Sequence, residues 1–204
     1  LWVERNYLKT RKPEALVLDR LFPAIMLWSG GIAIDKISAP KETMWLGNGK
    51  NPVAMMRTSW TDPNAIYVAT KGGSVSINHA HMDIGSFVME ADGVRWAMDF
   101  GMQDYESLES KGIKLFGRTQ DAERWTVFRL TNLVHNTLAI DSQHQLVTGN
   151  APIIASSSNS DFMHTIIDLS EIYKGQVAAS KRGIAVVNKK QVLIRDEIET
   201  LGKE

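Results

Sequence analysis

The sequence predicts a mainly β protein, an antiparallel β-sandwich, entered through a short helical segment. Three observations carry this. From about Pro40 onward, short apolar runs alternate with period two and are punctuated by Gly, Asn, Asp and Pro, the pattern of strands and turns. Strand follows strand with no helix-length stretch to carry a crossover, so antiparallel pairing is the economical arrangement. The first forty residues lack that alternation and set Leu18, Leu21, Phe22 and Ile25 at helical spacing.

Taken in order, Leu1 to Arg11 holds no breaker until Pro13, and Pro23 is expected to limit or kink the second helical segment before Ser29-Gly30-Gly31 stops it. Val53–Trp60 is the first clear strand run, closed by Asp62-Pro63-Asn64, and Ala65–Thr70 is the next, ended by Gly72-Gly73. Ser86–Glu90 and Val94–Asp99 flank Ala91-Asp92-Gly93, a hairpin signal. In the second of these, Val94, Trp96 and Met98 share one face and Arg95, Ala97 and Asp99 the other. The alternation places Trp96 in the core. Further strands are expected at Asn136–Ile140, Ile153–Ser157, Phe162–Asp168, Gly183–Asn188 and Val192–Ile198. Residues 101–134 read as a long excursion over the sheet, a common location for function.

Composition removes several functions. Lys+Arg and Asp+Glu are 23 each, so the formal charge is 23 − 23 = 0, against a nucleic-acid binder that works through a general basic field. No apolar run approaches the roughly 20 residues a membrane helix requires. There is no cysteine, so any metal must be held by His and carboxylate. Leu1 is not a Met, no signal peptide opens the chain, and Glu197–Thr200 reads as a strand with nothing to close it. Both ends are expected to be cuts from something longer.

The chemistry concentrates in Ser76-Ile77-Asn78-His79-Ala80-His81-Met82-Asp83. On an extended chain, His79, His81 and Asp83 project to one side, with satisfied structural histidines as the ordinary alternative. Asp99, ending a strand, and His135, before Asn136-Thr137-Leu138, add a carboxylate and a third imidazole. Two His and one carboxylate make a nitrogen/oxygen zinc set with room for a water. His144 and His164 read as surface or cross-strand residues.

Asn78-His79-Ala80-His81-Met82-Asp83, then Gly93 to Gly101 with Trp96-Ala97-Met98-Asp99, then His135-Asn136-Thr137-Leu138 occur in that order. Together they resemble the heparinase II/III-like polysaccharide lyases, most densely between Trp60 and Asp141. The resemblance implies an α/α toroid followed by an antiparallel β-sandwich, with acidic polysaccharides cleaved between them. Residues 1–38 would then be the last toroid helices and 39–204 the β-sandwich, incomplete at its C-terminal end. It implies one zinc held by His81, Asp99 and His135, structural in role by the resemblance, while the ligand set itself would allow a catalytic role as well. It implies an active-site role beside the uronate for His79, with Asn78 next to it, and makes Tyr105 a weaker candidate whose alternative is packing on the sheet. The family's main catalytic tyrosine, with an assisting Asn and His, belongs to helices upstream of Leu1. Tyr7 has no neighbouring Asn-His and is not assigned that role.

The implied function is therefore part of a lyase acting on a uronan, inactive as this fragment alone, and periplasmic or secreted in a bacterium. A non-catalytic, metal-stabilised β module that binds carbohydrate is the alternative. Lys111, Lys114, Arg118, Arg124 and Arg129 offer cations to an anionic polysaccharide, although Glu106, Glu109, Asp121 and Glu123 are interleaved with them. Trp45, Trp60 and Trp125 are possible sugar-stacking platforms.

Overall fold

The computed structural model describes residues 2–9, 12 and 19–202. It divides into two units, Leu1–Glu42 and Thr43–Glu204. The breaker expected at Pro13, and Leu18, lie outside the described residues.

The first unit contains α1 (Trp2–Leu8) and α2 (Phe22–Trp28). Pro23 does not kink α2. It stands in the first turn, where its missing N–H costs nothing, so it helps start the helix. Arg5 Nη1 donates to the carbonyls of Ile34 and Asp35 at 2.8 and 3.1 Å, tying α1 to the turn that follows α2.

The second unit is a pair of antiparallel meanders. The first sheet runs β1 (Met44–Gly47), β2 (Val53–Arg57), β3 (Tyr67–Lys71), β4 (Phe87–Ala91), β5 (Val94–Ala97), in that spatial order. The second runs β6 (Ile153–Ser157), β7 (Phe162–Asp168), β8 (Ala179–Val187), β9 (Gln191–Glu199). Asp92 and Gly93 both have positive φ and form the two-residue loop of the β4–β5 hairpin, as the right-handed strand twist favours.

The sheets meet through one apolar layer. Met56 and Val68 of the first sheet cluster with Met163, Ile184 and Val186 of the second. These five come from alternate positions of β2, β3, β7 and β8, whose burial follows the pleat. A second cluster lies under the loops. Val75, Met82, Ile84, Leu108, Leu115, Trp125, Leu130, Ile167, Leu169, Ile172 and Tyr173 form it, so the 72–85 and 105–134 segments rest on a packed floor.

Three expectations are corrected here. Asn136–Ile140 is not a strand. Asn136 Nδ2 instead donates to the carbonyls of Phe87 and Met98, both at 2.9 Å, and Thr137 Oγ1 donates to Ile84 O at 2.6 Å. Side chains stitch this segment in place of a ladder. Trp96 is 66% exposed, and Val94 and Met98 are exposed beside it. β5 is an edge strand exposed along Val94, Arg95 and Trp96, so the alternation identified its pair of faces without reporting that nothing packs over Trp96. Residues 76–83 are turns rather than an extended strand, and His79 has φ of 60°.

Candidate functional site

Although 76–83 has no sheet partner, its side chains still alternate from His79 on. Ala80, Met82 and Ile84 are buried while His79, His81 and Asp83 are not. The alternation survives because the inward positions are clamped in turn. Arg124 Nη2 donates to Ala80 O at 2.6 Å, Met82 N donates to Leu130 O at 2.9 Å, and Gln145 holds both backbone groups of Ile84. Gln145 is wholly buried and also donates to Tyr173 Oη at 2.9 Å, which donates to Leu138 O at 2.6 Å. Asn132 Nδ2 donates to the carbonyls of Leu138 and Gln143. A satisfied polar network thus fixes the 79–84 and 132–138 segments against each other. Burial pushes the Tyr173 phenol up, so it stays neutral and keeps the O–H that this network uses.

The network brings three of the expected residues together. The His81 and His135 rings lie 5.5 Å apart, centroid to centroid, and His135 Nδ1 donates to Asp99 Oδ2 at 2.6 Å. His135 Nε2 faces Arg129 O at 3.1 Å. A neutral imidazole carries one N–H, so two oxygen acceptors around this ring exceed what it can satisfy. Burial holds the His81 imidazole below its ordinary range; Asp83 opposes that shift and His135 adds to it. Burial works to raise the Asp99 carboxyl, but the Gly101 N–H at 2.7 Å and His135 carry it below its ordinary range. Among the described residues, no three His, Asp or Glu side chains form a ready-made metal cage. The three donors are neighbours, with Asp99 and His135 closed onto each other. Asp83 goes elsewhere, to Lys71 Nζ at 2.6 Å.

His79 and Asn78 form the open side of the same turn. His79 Nδ1 shares a hydrogen bond of 2.9 Å with Tyr105 Oη, and the rings stack with centroids 5.9 Å apart and planes 8° from parallel. Tyr105 opens α3 (Tyr105–Glu109), whose N-cap Asp104 accepts from Ser107 N at 2.8 Å. Its ring also meets Phe116 edge-on and packs on the lower cluster, so it is both a packing aromatic and a partner of His79. Asn78 Oδ1 accepts from Arg118 Nη2 at 3.1 Å.

The remaining residues separate. Trp125 is core, with the Arg124 guanidinium 4.6 Å from its ring. Arg57 lies 3.9 Å from the Trp60 ring, and Trp45 is exposed. His164 faces outward on β7, its ring tilted 45° against that of Phe162 with centroids 5.0 Å apart. Sequence reasoning missed Gln145, Tyr173 and Asn132. Isolated buried amides and phenols leave no periodic signature, and only their partners identify them.

The family model described as "Heparinase II/III-like, C-terminal" matches residues 53–204. A solved structure of heparinase III covers 93% of this chain and 29% of its own, at 16% identity and a TM-score of 0.69. A second heparinase III, the BT4657 gene product with methylated lysines, covers 93% and 27% at 20% identity and 0.66. The heparan sulfate lyase HepC from Pedobacter heparinus covers 88% and 26% at 19% identity and 0.61. These likenesses establish the fold, and the chain spans less than a third of the structures it matches. A comparison with curated proteins gives no significant match. No helix among the described residues is long and apolar enough to cross a membrane.

Proposed function

From the premise that the chain belongs to the heparinase II/III-like family, matching its C-terminal part, we propose that it is the β-sandwich portion of a lyase that cleaves uronic-acid-containing polysaccharides, such as glycosaminoglycans, by β-elimination. The reading carries with it a bacterial periplasmic or secreted location.

Such a reaction removes the weakly acidic proton beside a uronate carboxylate and expels the glycosidic oxygen from the neighbouring carbon. Negative charge gathers on the carboxylate as the enolate forms, so donors aimed there lower the barrier most. Asn78 and His79 are the donors this chain supplies. Tyr105 is the proton-carrying group beside them, held by His79. The observation that carries this assignment is the 2.9 Å hydrogen bond between His79 and Tyr105 on an open turn next to Asn78. An imidazole and a phenol in contact are both groups that hold and pass a proton at a sugar oxygen. The principal proton-transfer tyrosine is assigned to the toroid part of the longer protein. Positioning between the two parts accounts for much of the rate, so residues 1–204 alone are expected to be inactive.

The test is to incubate the full-length parent, and separately residues 1–204, with a panel of uronans and to follow the ultraviolet absorbance of an unsaturated uronate. Cleavage by the parent and none by the fragment is expected. Binding by the parent without any absorbance change would replace this reading with that of a carbohydrate-binding module.

His81, Asp99 and His135 fit a zinc ion by donor type and by neighbourhood. Two imidazole nitrogens and a carboxylate oxygen are a donor set that zinc takes, and the lowered His81 is in the neutral form that ligates. Bound there, the ion would crosslink three chain segments. Elemental analysis is expected to find about one zinc per wild-type chain and essentially none in His81→Ala, with a lower melting temperature for the variant. Equal metal content in both proteins, or none in either, would remove the assignment.

A further inference from the structure

Next to Asn78 lies a polar cavity of about 580 Å³ lined by Lys50, Ser74, Ser76, Ile77, Asn78, Arg118 and Asn150. Its walls come from loops far apart in sequence, and backbone contacts fix them. Gly72 N donates to Pro52 O at 2.8 Å, and Gly73 and Ala151 exchange a pair of backbone hydrogen bonds, both 2.8 Å. Ser74 N donates to Asn51 Oδ1 at 2.9 Å. A Cβ at Gly72 would come within 2.5 Å of Ala151 O, and one at Gly73 would overlap Asn51. The glycine pair is thus what lets the three loops close on one another, beneath Lys50, Ser74 and Asn150. The cavity is built by the fold rather than left between mobile chains.

Its chemistry is one-sided. Two cations, two amides and two hydroxyls line it, with no carboxylate. Among the described residues neither Lys50 nor Arg118 has an ion pair, and Arg118 makes one hydrogen bond, to Asn78. Most of the guanidinium fork is therefore available. A planar fork beside hydroxyl and amide donors suits a tetrahedral or planar oxyanion, and the volume falls in the range of about 300–1,000 Å³ usual for small-ligand sites.

We propose that this cavity is a subsite for an anionic substituent, the N-sulfate of a glucosamine or a second uronate carboxylate, on the sugar next to the one held at Asn78 and His79. Arg118 links the two places, since it donates to Asn78 Oδ1 while facing the cavity. The proposal rests on the reading of the chain as part of a uronan lyase, and its test separates the two.

The probes are hexasaccharides of alternating glucosamine and uronate, one N-sulfated and one N-acetylated without sulfate. Binding to the full-length protein and to its Lys50→Ala/Arg118→Ala double variant is measured by calorimetry at fixed low salt, with cleavage measured in parallel. Both side chains are exposed, so the variant is expected to fold, which circular dichroism checks. The double variant should bind about 10–100-fold more weakly, and Arg118→Lys should recover part of the loss. A loss confined to the sulfated probe identifies the substituent as sulfate; equal losses identify it as carboxylate. Wild-type affinity for both probes retained within about 2-fold by the double variant, or no wild-type binding to either, overturns the subsite. Binding with the expected losses but without cleavage by the wild type overturns the lyase reading and leaves the subsite standing.

Discussion

Replacing His79 with Ala in the full-length protein is expected to cut turnover on a uronan by about 10²-fold or more while leaving zinc content unchanged. The size follows from the loss of two contributions at once. In the proposed reaction His79 is a donor where enolate charge develops, and it holds the Tyr105 hydroxyl at 2.9 Å. The split from His81 follows from the clamped alternation. Ala80 and Met82 are fixed inward by Arg124 and by Leu130 O, so removing the outward His79 ring leaves the backbone that positions His81 in place. Steady-state kinetics with elemental analysis of the same preparation checks both halves. Normal turnover with metal retained would mean that the active site lies elsewhere. A Tyr105→Phe variant, which keeps the ring stack but not the hydroxyl, should also lose turnover if the hydrogen bond is what matters.

Arg182→Ala is expected to lower the unfolding free energy by about 3 kcal/mol, at the lower end of what removing one partner of a buried ion pair costs. Arg182 is 5% exposed on β8 and binds the Asp196 carboxylate with two parallel hydrogen bonds of 2.7 and 2.8 Å. Its remaining nitrogen donates to Gly85 O at 2.9 Å and Asn136 O at 2.8 Å. Asp196 retains some access to water, with its side chain 25% exposed, which moderates the cost of stranding it. Gly85 O, whose bond to Arg182 is buried, has less relief, while the bond to Asn136 O is only partly buried. The two carbonyls directly follow the segments that carry His81 and His135, so the variant should also bind zinc more weakly. Urea unfolding measures the first effect and metal titration the second. A loss under about 1 kcal/mol would show that water replaces the guanidinium without penalty.

Some of this was legible in the sequence for definite reasons. β6 and β7 have the bounds expected of them, because their alternation is strong and polar turns stop it on both sides. The β4–β5 hairpin follows from Asp92-Gly93, which meets a need for positive φ at both loop positions. β1 was not visible: four residues, Met44–Gly47, with an outward Trp45, carry too little period to count. The Asn136–Ile140 segment had a strand's composition, but its Asn and Thr side chains reach carbonyls of two other segments, and composition cannot report such distant partners. The outward positions of His79 and His81 were correctly paired in sequence, whereas the turn that separates their destinations was not foreseen. Whether a face is covered depends on what packs there, which is why Trp96 was misplaced while Trp125 could not be decided in advance.

The left-handed backbone of His79 sets the interests of the folded state against those of the site. A β-carbon at φ of 60° costs on the order of 1 kcal/mol that glycine would not incur. In a mutant library sorted only for heat resistance or expression, His79→Gly should therefore be among the survivors, and the sorted population would drift toward silent, well-folded protein. Under the proposed role of His79, engineering of this scaffold for robustness needs an activity screen at every round, because the residue that the backbone prefers at this position differs from the one that the reaction uses.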